Sequence, residues 1–132
     1  MRIYAVVQNI GEESSYRIIR SFLLESKATD HLKSILDKQD KLVMCDVKLT
    51  KIAMKWGEDN PSPNSFDFFS QDKNVREECH QECAEHWNKK MDYIKQKQRE
   101  LAEEAGVFPH EIDVFMKTGP QVYRIMKINA EE

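Results

Sequence analysis

Apolar residues recur every three or four positions in the polar segment from residue 73 to residue 105, and this spacing predicts one long amphipathic helix. Asn74 and Glu77 have the spacing of a capping box at its start, and Gly106 suits the left-handed residue that ends a helix. The helix would span roughly 50 Å, against roughly 35 Å for a compact domain of this size. We therefore expect it to kink, to project, or to pack against a second copy. The apolar stripe consists of Val75, Cys79, Cys83, Trp87, Met91, Ile94, Leu101, Ala102 and Ala105.

The first part of the chain predicts strands on either side of a shorter helix. Residues 2–10 and 15–25 are rich in β-branched and aromatic side chains, and the short polar turn between them favours a hairpin. Apolar residues at helical spacing then predict a helix over residues 26–37. After a short turn, residues 42–56 alternate in the manner of a third strand, with a shift of phase after Leu49 that indicates a bulge.

The chain changes character over residues 57–72, where Gly, Asn, Pro and Ser predict a loop. Phe66, Phe68 and Phe69 lie within four positions of one another in this loop. They either tuck the loop onto the core or form an exposed apolar patch that binds a partner. Both interpretations stay open from the sequence alone.

The last part of the chain predicts a short helix and a final strand. Pro109 suits the first turn of a helix that extends to about residue 116, and residues 121–129 are again typical of a strand. The resulting order is β-β-α-β-α-α-β, which predicts a single α+β domain over residues 1–132. We expect an antiparallel sheet of about four strands, with the long amphipathic helix packed on it or projecting from it.

Composition narrows the class of protein. The formal net charge of −3 over 132 residues argues against a generally basic, nucleic-acid-coating surface. No run of eighteen apolar residues is present, so we expect no membrane span, and the start of the chain is typical of a strand rather than a signal peptide. Three cysteines fit buried thiols in a reducing compartment, so we expect a cytoplasmic protein.

The sequence contains no recognisable catalytic or cofactor-binding motif. It lacks a Gly-rich phosphate loop, a nucleophile elbow and an HExxH pair, so we expect a non-enzymatic protein without a cofactor. Cys79, Cys83 and His86 are spaced to share one helical face and are candidate metal ligands, with Cys45 or His110 to complete the site. Cysteine on an apolar helical stripe is more often a small core residue, so we expect no metal.

Charge is distributed unevenly along the chain. Residues 1–57 contain ten basic and seven acidic groups, a net +3, whereas residues 58–86 contain two and eight, a net −6. A basic sheet face could bind nucleic acid, with Tyr4, Tyr16 and Tyr123 stacking on bases. The alternative is that the tyrosines face the core and the basic side chains only solubilise the sheet. The candidate nucleic-acid-binding residues are Arg17, Arg20, Lys48, Lys51, Arg124 and Lys127.

Residues 101–119 combine a helix end, a glycine corner and a second short helix. Small, turn and apolar positions are filled by Ala102, Gly106, Val107, Ile112 and Phe115. This stretch resembles the helix-turn-helix motif of bacterial and phage repressors, which implies a recognition helix over residues 111–116 and binding to the DNA major groove. Glu111 and Asp113 depart from the pattern, because acidic groups repel phosphates. A structural corner between two helices is therefore the alternative.

Taken together, these patterns favour a small regulator or inhibitor that acts through contact with another protein and forms a homodimer through its long helix. The candidate protein-binding residues are Phe66, Phe68, Phe69, Glu78, Glu82 and Trp87. A chain of this size with only four glycines would suit an accessory factor of a phage or mobile element. Nucleic-acid binding is the alternative function.

Overall fold

The computed structural model describes residues 1–11, 15–63 and 66–129. The elements in this part of the chain are β1 Arg2–Asn9, β2 Tyr16–Phe22, α1 Glu25–Asp59, a 3₁₀ turn Phe66–Phe69, α2 Lys73–Ala105, α3 Pro109–Thr118 and β3 Tyr123–Asn129. The predicted α+β class is confirmed, but the described sheet has three strands instead of about four. Parts of the predicted hairpin turn, residues 12–14, and of the predicted loop, residues 64–65, lie outside the described residues.

The chain divides into two compact units. Met1–Met44 and Asp113–Glu132 form the first unit, which contains the sheet, the beginning of α1 and the end of α3. Cys45–Ile112 forms the second unit, which contains the rest of α1, the 3₁₀ turn, α2 and the start of α3. Two of the helices therefore contribute residues to both units.

The sheet in the first unit is antiparallel, with the order β2-β1-β3. Val6 on the central strand lies opposite Arg20 of β2 and Ile125 of β3. The register with β2 shifts after Val6, so that Val7 lies opposite Ile18 and a bulge interrupts the ladder. The middle of β1 is fully buried, whereas six of the seven residues of β2 are exposed, as befits an edge strand.

α1 is one helix of 35 residues, so the predicted turn and third strand over residues 38–56 are wrong. The reason lies in spacing and in the absence of helix breakers. A seven-residue period continues through the predicted turn, at Ala28, Ile35, Leu42, Leu49 and Trp56. Residues 38–41 contain neither Gly nor Pro, so nothing stops the helix there. The dense apolar run that begins at Leu42 fits both helical spacing and strand alternation. Its pattern alone therefore does not distinguish a helix from a strand.

α2 spans Lys73–Ala105, as the sequence predicts, although its cap differs from the expected one. The carboxylate of Asp72 accepts hydrogen bonds from the backbone N–H groups of Asn74 and Val75, at 3.0 and 3.4 Å. Asp72 is therefore the N-cap, and the predicted capping box at Asn74 is wrong by two positions. At the other end Gly106 adopts the predicted left-handed conformation, with φ of 74°.

Within the second unit, α1 and α2 contact each other. The Cys45 thiol lies 3.9 Å from the Leu101 carbonyl oxygen, to which it donates. At the far end of α1 the Trp56 ring lies against the rings of His86 and Tyr93, with centroids 5.0 and 6.5 Å away. α1 of the same chain thus contacts α2 between residues 86 and 101, and the homodimer stays a prediction.

Both long helices are rich in charged side chains. Across residues 1–11, 15–63 and 66–129, no helix combines the length and the apolar character that crossing a bilayer requires.

Candidate protein-binding surface

The aromatic turn, Phe66–Phe69, presents two phenylalanine rings to solvent. The side chains of Phe66 and Phe69 are 91% and 89% exposed, whereas Phe68 between them is 36% exposed. Phe68 packs against α2, where its ring centroid lies 4.0 Å from that of His80. His80 also donates from Nε2 to the Phe68 carbonyl oxygen at 2.9 Å. His80 therefore holds the turn on the helix while its two flanking rings face outward.

The segment after the aromatic turn ties it to the start of α2. The backbone N–H of Ser70 donates to the Asp67 carbonyl at 3.1 Å, which closes the turn. Arg76, in the first turns of α2, donates from Nη1 to the Ser70 carbonyl at 3.2 Å. Asp72 then caps the helix. Because Ser70, Asp72 and Arg76 all form hydrogen bonds in this connection, the turn is held on α2 before any other molecule contacts it.

The three phenylalanines differ in their surroundings: one contacts α2, and the other two face solvent. Phe68 packs against His80 of α2 but is itself 36% exposed, so none of the three rings lies in the core. Phe66 and Phe69 remain outside, and each forgoes about 1.5–3 kcal/mol of stabilisation that full burial would give. Adjacent exposed aromatic rings on a fixed turn are typical of a surface that another protein covers.

The remaining predicted contact residues do not share one surface. Trp87 is 60% exposed, at the margin of the α2 stripe to which the sequence analysis assigned it. It lies seven residues after His80 and so on nearly the same side of α2 as the aromatic turn. Helical geometry places Glu82 about 140° and Glu78 about 180° around the helix from Trp87. The predicted set therefore splits into an aromatic side and an acidic side.

A cleft at the end of α1 was missed by the sequence analysis. It encloses ≈ 450 Å³ and is lined by Ile52, Lys55, Trp56, Asp59, Asn60 and Tyr93. Four of these residues follow the i, i+3, i+4, i+7 pattern of a single helical face. That signal was present in the sequence, but the strand prediction for residues 42–56 concealed it.

The cysteine and histidine candidates are arranged as core and support residues. Cys79 is buried, and burial raises the pKa of its thiol, with a further increase from its hydrogen bond with Cys83. Burial also raises the pKa of Cys45. His86 donates from Nε2 to the Asn60 carbonyl at 2.9 Å. Among the described residues, no group of three or more His, Cys, Asp or Glu side chains is placed to hold a metal ion.

The predicted basic residues are divided between elements and between sheet faces. Lys48 and Lys51 lie on α1, so their expected position on a strand is wrong. Arg17 and Arg20 pair with Gln8 and Val6 of β1, and Lys127 pairs with Tyr4, so these three share one sheet face. Arg124 pairs with Val7 and lies on the other face.

The four candidate basic residues of the sheet also have partners within the first unit. Arg17 donates from Nη2 to the Gln8 side chain at 2.7 Å, and Arg124 donates from Nε to the Asn9 side chain at 3.3 Å. The guanidinium of Arg20 lies 5.2 Å from the Phe22 ring centroid, and Lys127 forms an ion pair of 3.9 Å with Glu25. A phosphate would have to compete with these contacts.

The stretch that resembles a helix-turn-helix contains the end of α2, the Gly106 corner and α3. The Val107 N–H donates to the Ala102 carbonyl at 3.0 Å, which completes the corner. The Glu111 carboxylate accepts from the Phe108 N–H at 3.0 Å and so caps the start of α3. Glu111 thus stabilises the start of α3, and the role of residues 111–116 as a DNA-recognition helix stays a prediction.

No protein-family model matches the chain, and neither a curated protein nor a solved structure matches it. Function is therefore inferred from the chemistry of its surfaces.

Proposed function

We propose that the chain is a non-enzymatic protein-binding module, a regulator or inhibitor whose contact surface centres on the aromatic turn. The observation that carries this proposal is the near-complete exposure of Phe66 and Phe69 on a turn that His80 and Ser70 anchor to α2. Rigid aromatic side chains make effective anchors, because they bury a large area at a small loss of conformational freedom.

Charge indicates the chemistry of the partner surface. Residues 58–86, which include the aromatic turn, carry a net charge of −6 from eight acidic and two basic groups. Asp67 lies between the two exposed rings in sequence. The complementary surface is an apolar pocket that accepts Phe66 and Phe69 and is bordered by lysine or arginine side chains. Such borders speed association more than they tighten the complex.

The first experiment identifies the partner and the position of contact together. A photo-crosslinking phenylalanine analogue is placed at position 69 in the full chain, and the crosslinked protein from the native host is identified by mass spectrometry. The same analogue at position 108 is the control, because Phe108 is also exposed, at 65%, in the second unit. We expect a specific product from position 69 and none of the same mass from position 108.

Binding to the purified partner then tests the residues. Phe66→Ala with Phe69→Ala should weaken binding by about 30-fold or more, which corresponds to about 2 kcal/mol for hot-spot residues. Phe108→Ala should leave the affinity unchanged. Both proteins should unfold at the temperature of the parent, since the substituted rings are exposed. Equal affinities for the parent and the double variant would show that the aromatic turn is not the contact surface.

A further inference from the structure

The cleft at the end of α1 has the chemistry of a cation site. Two aromatic residues, Trp56 and Tyr93, line it together with the acidic residue Asp59. The ring centroids are 6.5 Å apart and the ring planes are inclined at 33°. Lys97 already places its Nζ 5.6 Å from the centroid of Tyr93, so this ring accepts a cation within the chain itself.

The walls of the cleft are fixed by contacts behind them. His86 packs its ring 5.0 Å from that of Trp56 and donates to the Asn60 carbonyl at 2.9 Å. Asn60 in turn donates to the Trp56 carbonyl, from its backbone at 2.8 Å and from its side chain at 3.0 Å. Trp56 and Asn60 are therefore held in place without a ligand, which lowers the entropy loss on binding.

We propose that this cleft binds an exposed arginine side chain of another protein. A guanidinium group can lie flat on the Trp56 ring while its N–H groups donate to the Asp59 carboxylate. Arginine fits better than lysine because its charge is planar, more weakly hydrated and able to donate in two directions at once. The net charge of −6 over residues 58–86, a segment that begins beside Asp59, attracts cationic side chains towards the cleft.

Lys55 also lines the cleft, so its charge should affect how tightly arginine binds there. Its ammonium group repels a guanidinium, although its exposed, flexible stem lets the charge move into water. Replacing Lys55 by methionine keeps a stem of similar length and removes the charge. The variant Lys55→Met should therefore bind arginine more tightly than the parent does, whereas Asp59→Asn should bind it more weakly.

The test uses three short peptides that differ at one position: acetyl-Gly-Arg-Gly-amide, its lysine analogue, and its citrulline analogue, which is nearly isosteric and uncharged. Trp87→Phe leaves Trp56 as the only tryptophan of the chain, so its fluorescence reports the cleft directly. In this background we expect saturable quenching by the arginine peptide, with at least tenfold weaker binding of citrulline and weaker binding of lysine. Asp59→Asn should reduce the arginine affinity at least threefold, and Lys55→Met should increase it at least twofold.

Other outcomes would overturn the assignment. Equal binding of arginine and citrulline, or no saturable change with arginine, would exclude a guanidinium site, and equal binding of lysine would exclude the preference for arginine. Phe66→Ala with Phe69→Ala serves as the control, because neither residue lines the cleft. Peptide binding that survives this double substitution is independent of the aromatic turn. The arginine site and the protein-binding turn are thus tested separately, and either can be wrong without the other.

Discussion

At the scale of single residues, two glycines with different backbone conformations respond oppositely to alanine. Gly106 has φ of 74°, in the left-handed region that an L side chain enters at a loss of about 1 kcal/mol. Gly57 lies in the last turns of α1, and a Cβ there meets no atom within 4 Å. Gly106→Ala should lower the free energy of unfolding by about 1 kcal/mol, and Gly57→Ala should raise it by about 0.5 kcal/mol. Urea unfolding followed by circular dichroism measures both values.

The pair is informative because the substitution is chemically identical at the two positions. A stabilising Gly106→Ala would show that α2 does not end in a left-handed residue. A strongly destabilising Gly57→Ala would show that α1 ends before residue 57 or that its last turns are crowded.

Residues whose chemistry is local were predictable from the sequence. The left-handed conformation of Gly106 and the start of α3 at Pro109 follow from the backbone preferences of these residue types alone. The predicted N-cap of α2 differs from the observed one because Asp72 and Asn74 are both residue types that favour this position. Only the hydrogen-bond geometry identifies Asp72 as the N-cap. Trp56 was missed as a lining residue of the cleft because residues 42–56 were predicted as a strand and because its ring neighbours, His86 and Tyr93, lie thirty or more residues later.

At the scale of elements, the register of α1 can be tested where the strand prediction failed. Leu49 is 2% exposed and Val47 is 43% exposed, since a helix rotates them to different sides. Leu49→Ala should destabilise the protein by about 2–5 kcal/mol through loss of burial and the cavity left behind. Val47→Ala should change the stability by less than about 0.5 kcal/mol. Thermal unfolding of the two variants compares them directly.

A strand would place residues 47 and 49 on the same face, so large and similar losses of stability for both variants would contradict the helix.

The sequence predicts the strongly periodic α2 correctly as one helix but divides α1 into a helix, a turn and a strand, and the difference has a physical reason. α2 has a polar surface that isolates its stripe, whereas the run Leu42, Val43, Met44 and Cys45 is apolar at both periods. Only the seven-residue spacing over the full length of α1 resolves the two interpretations.

At the scale of the whole molecule, the distribution of charge favours protein binding over nucleic-acid binding. The chain carries a net −3, and its negative excess lies in residues 58–86, which carry a net −6. Nucleic-acid affinity depends on uncommitted cations that replace counterions along the phosphate backbone. Arg17 and Lys127 on the sheet are already engaged with Gln8 and Glu25, and Arg124 lies on the opposite face. The four candidates on the sheet therefore do not form one continuous basic track.

We accordingly expect weak binding to double-stranded DNA, single-stranded DNA and RNA at low salt, and none at physiological salt. Fluorescence anisotropy of labelled oligonucleotides at both ionic strengths measures this, since low salt exaggerates surface electrostatics. If binding survives at physiological salt, the nucleic-acid alternative gains precedence over the aromatic turn. Alanine at Arg17 and Arg20 would then locate the contact, because loss of a phosphate contact lowers both the affinity and the dependence on salt. Unchanged binding in that double variant would direct attention to the corner between α2 and α3, where Glu111 and Asp113 make a major-groove contact unfavourable.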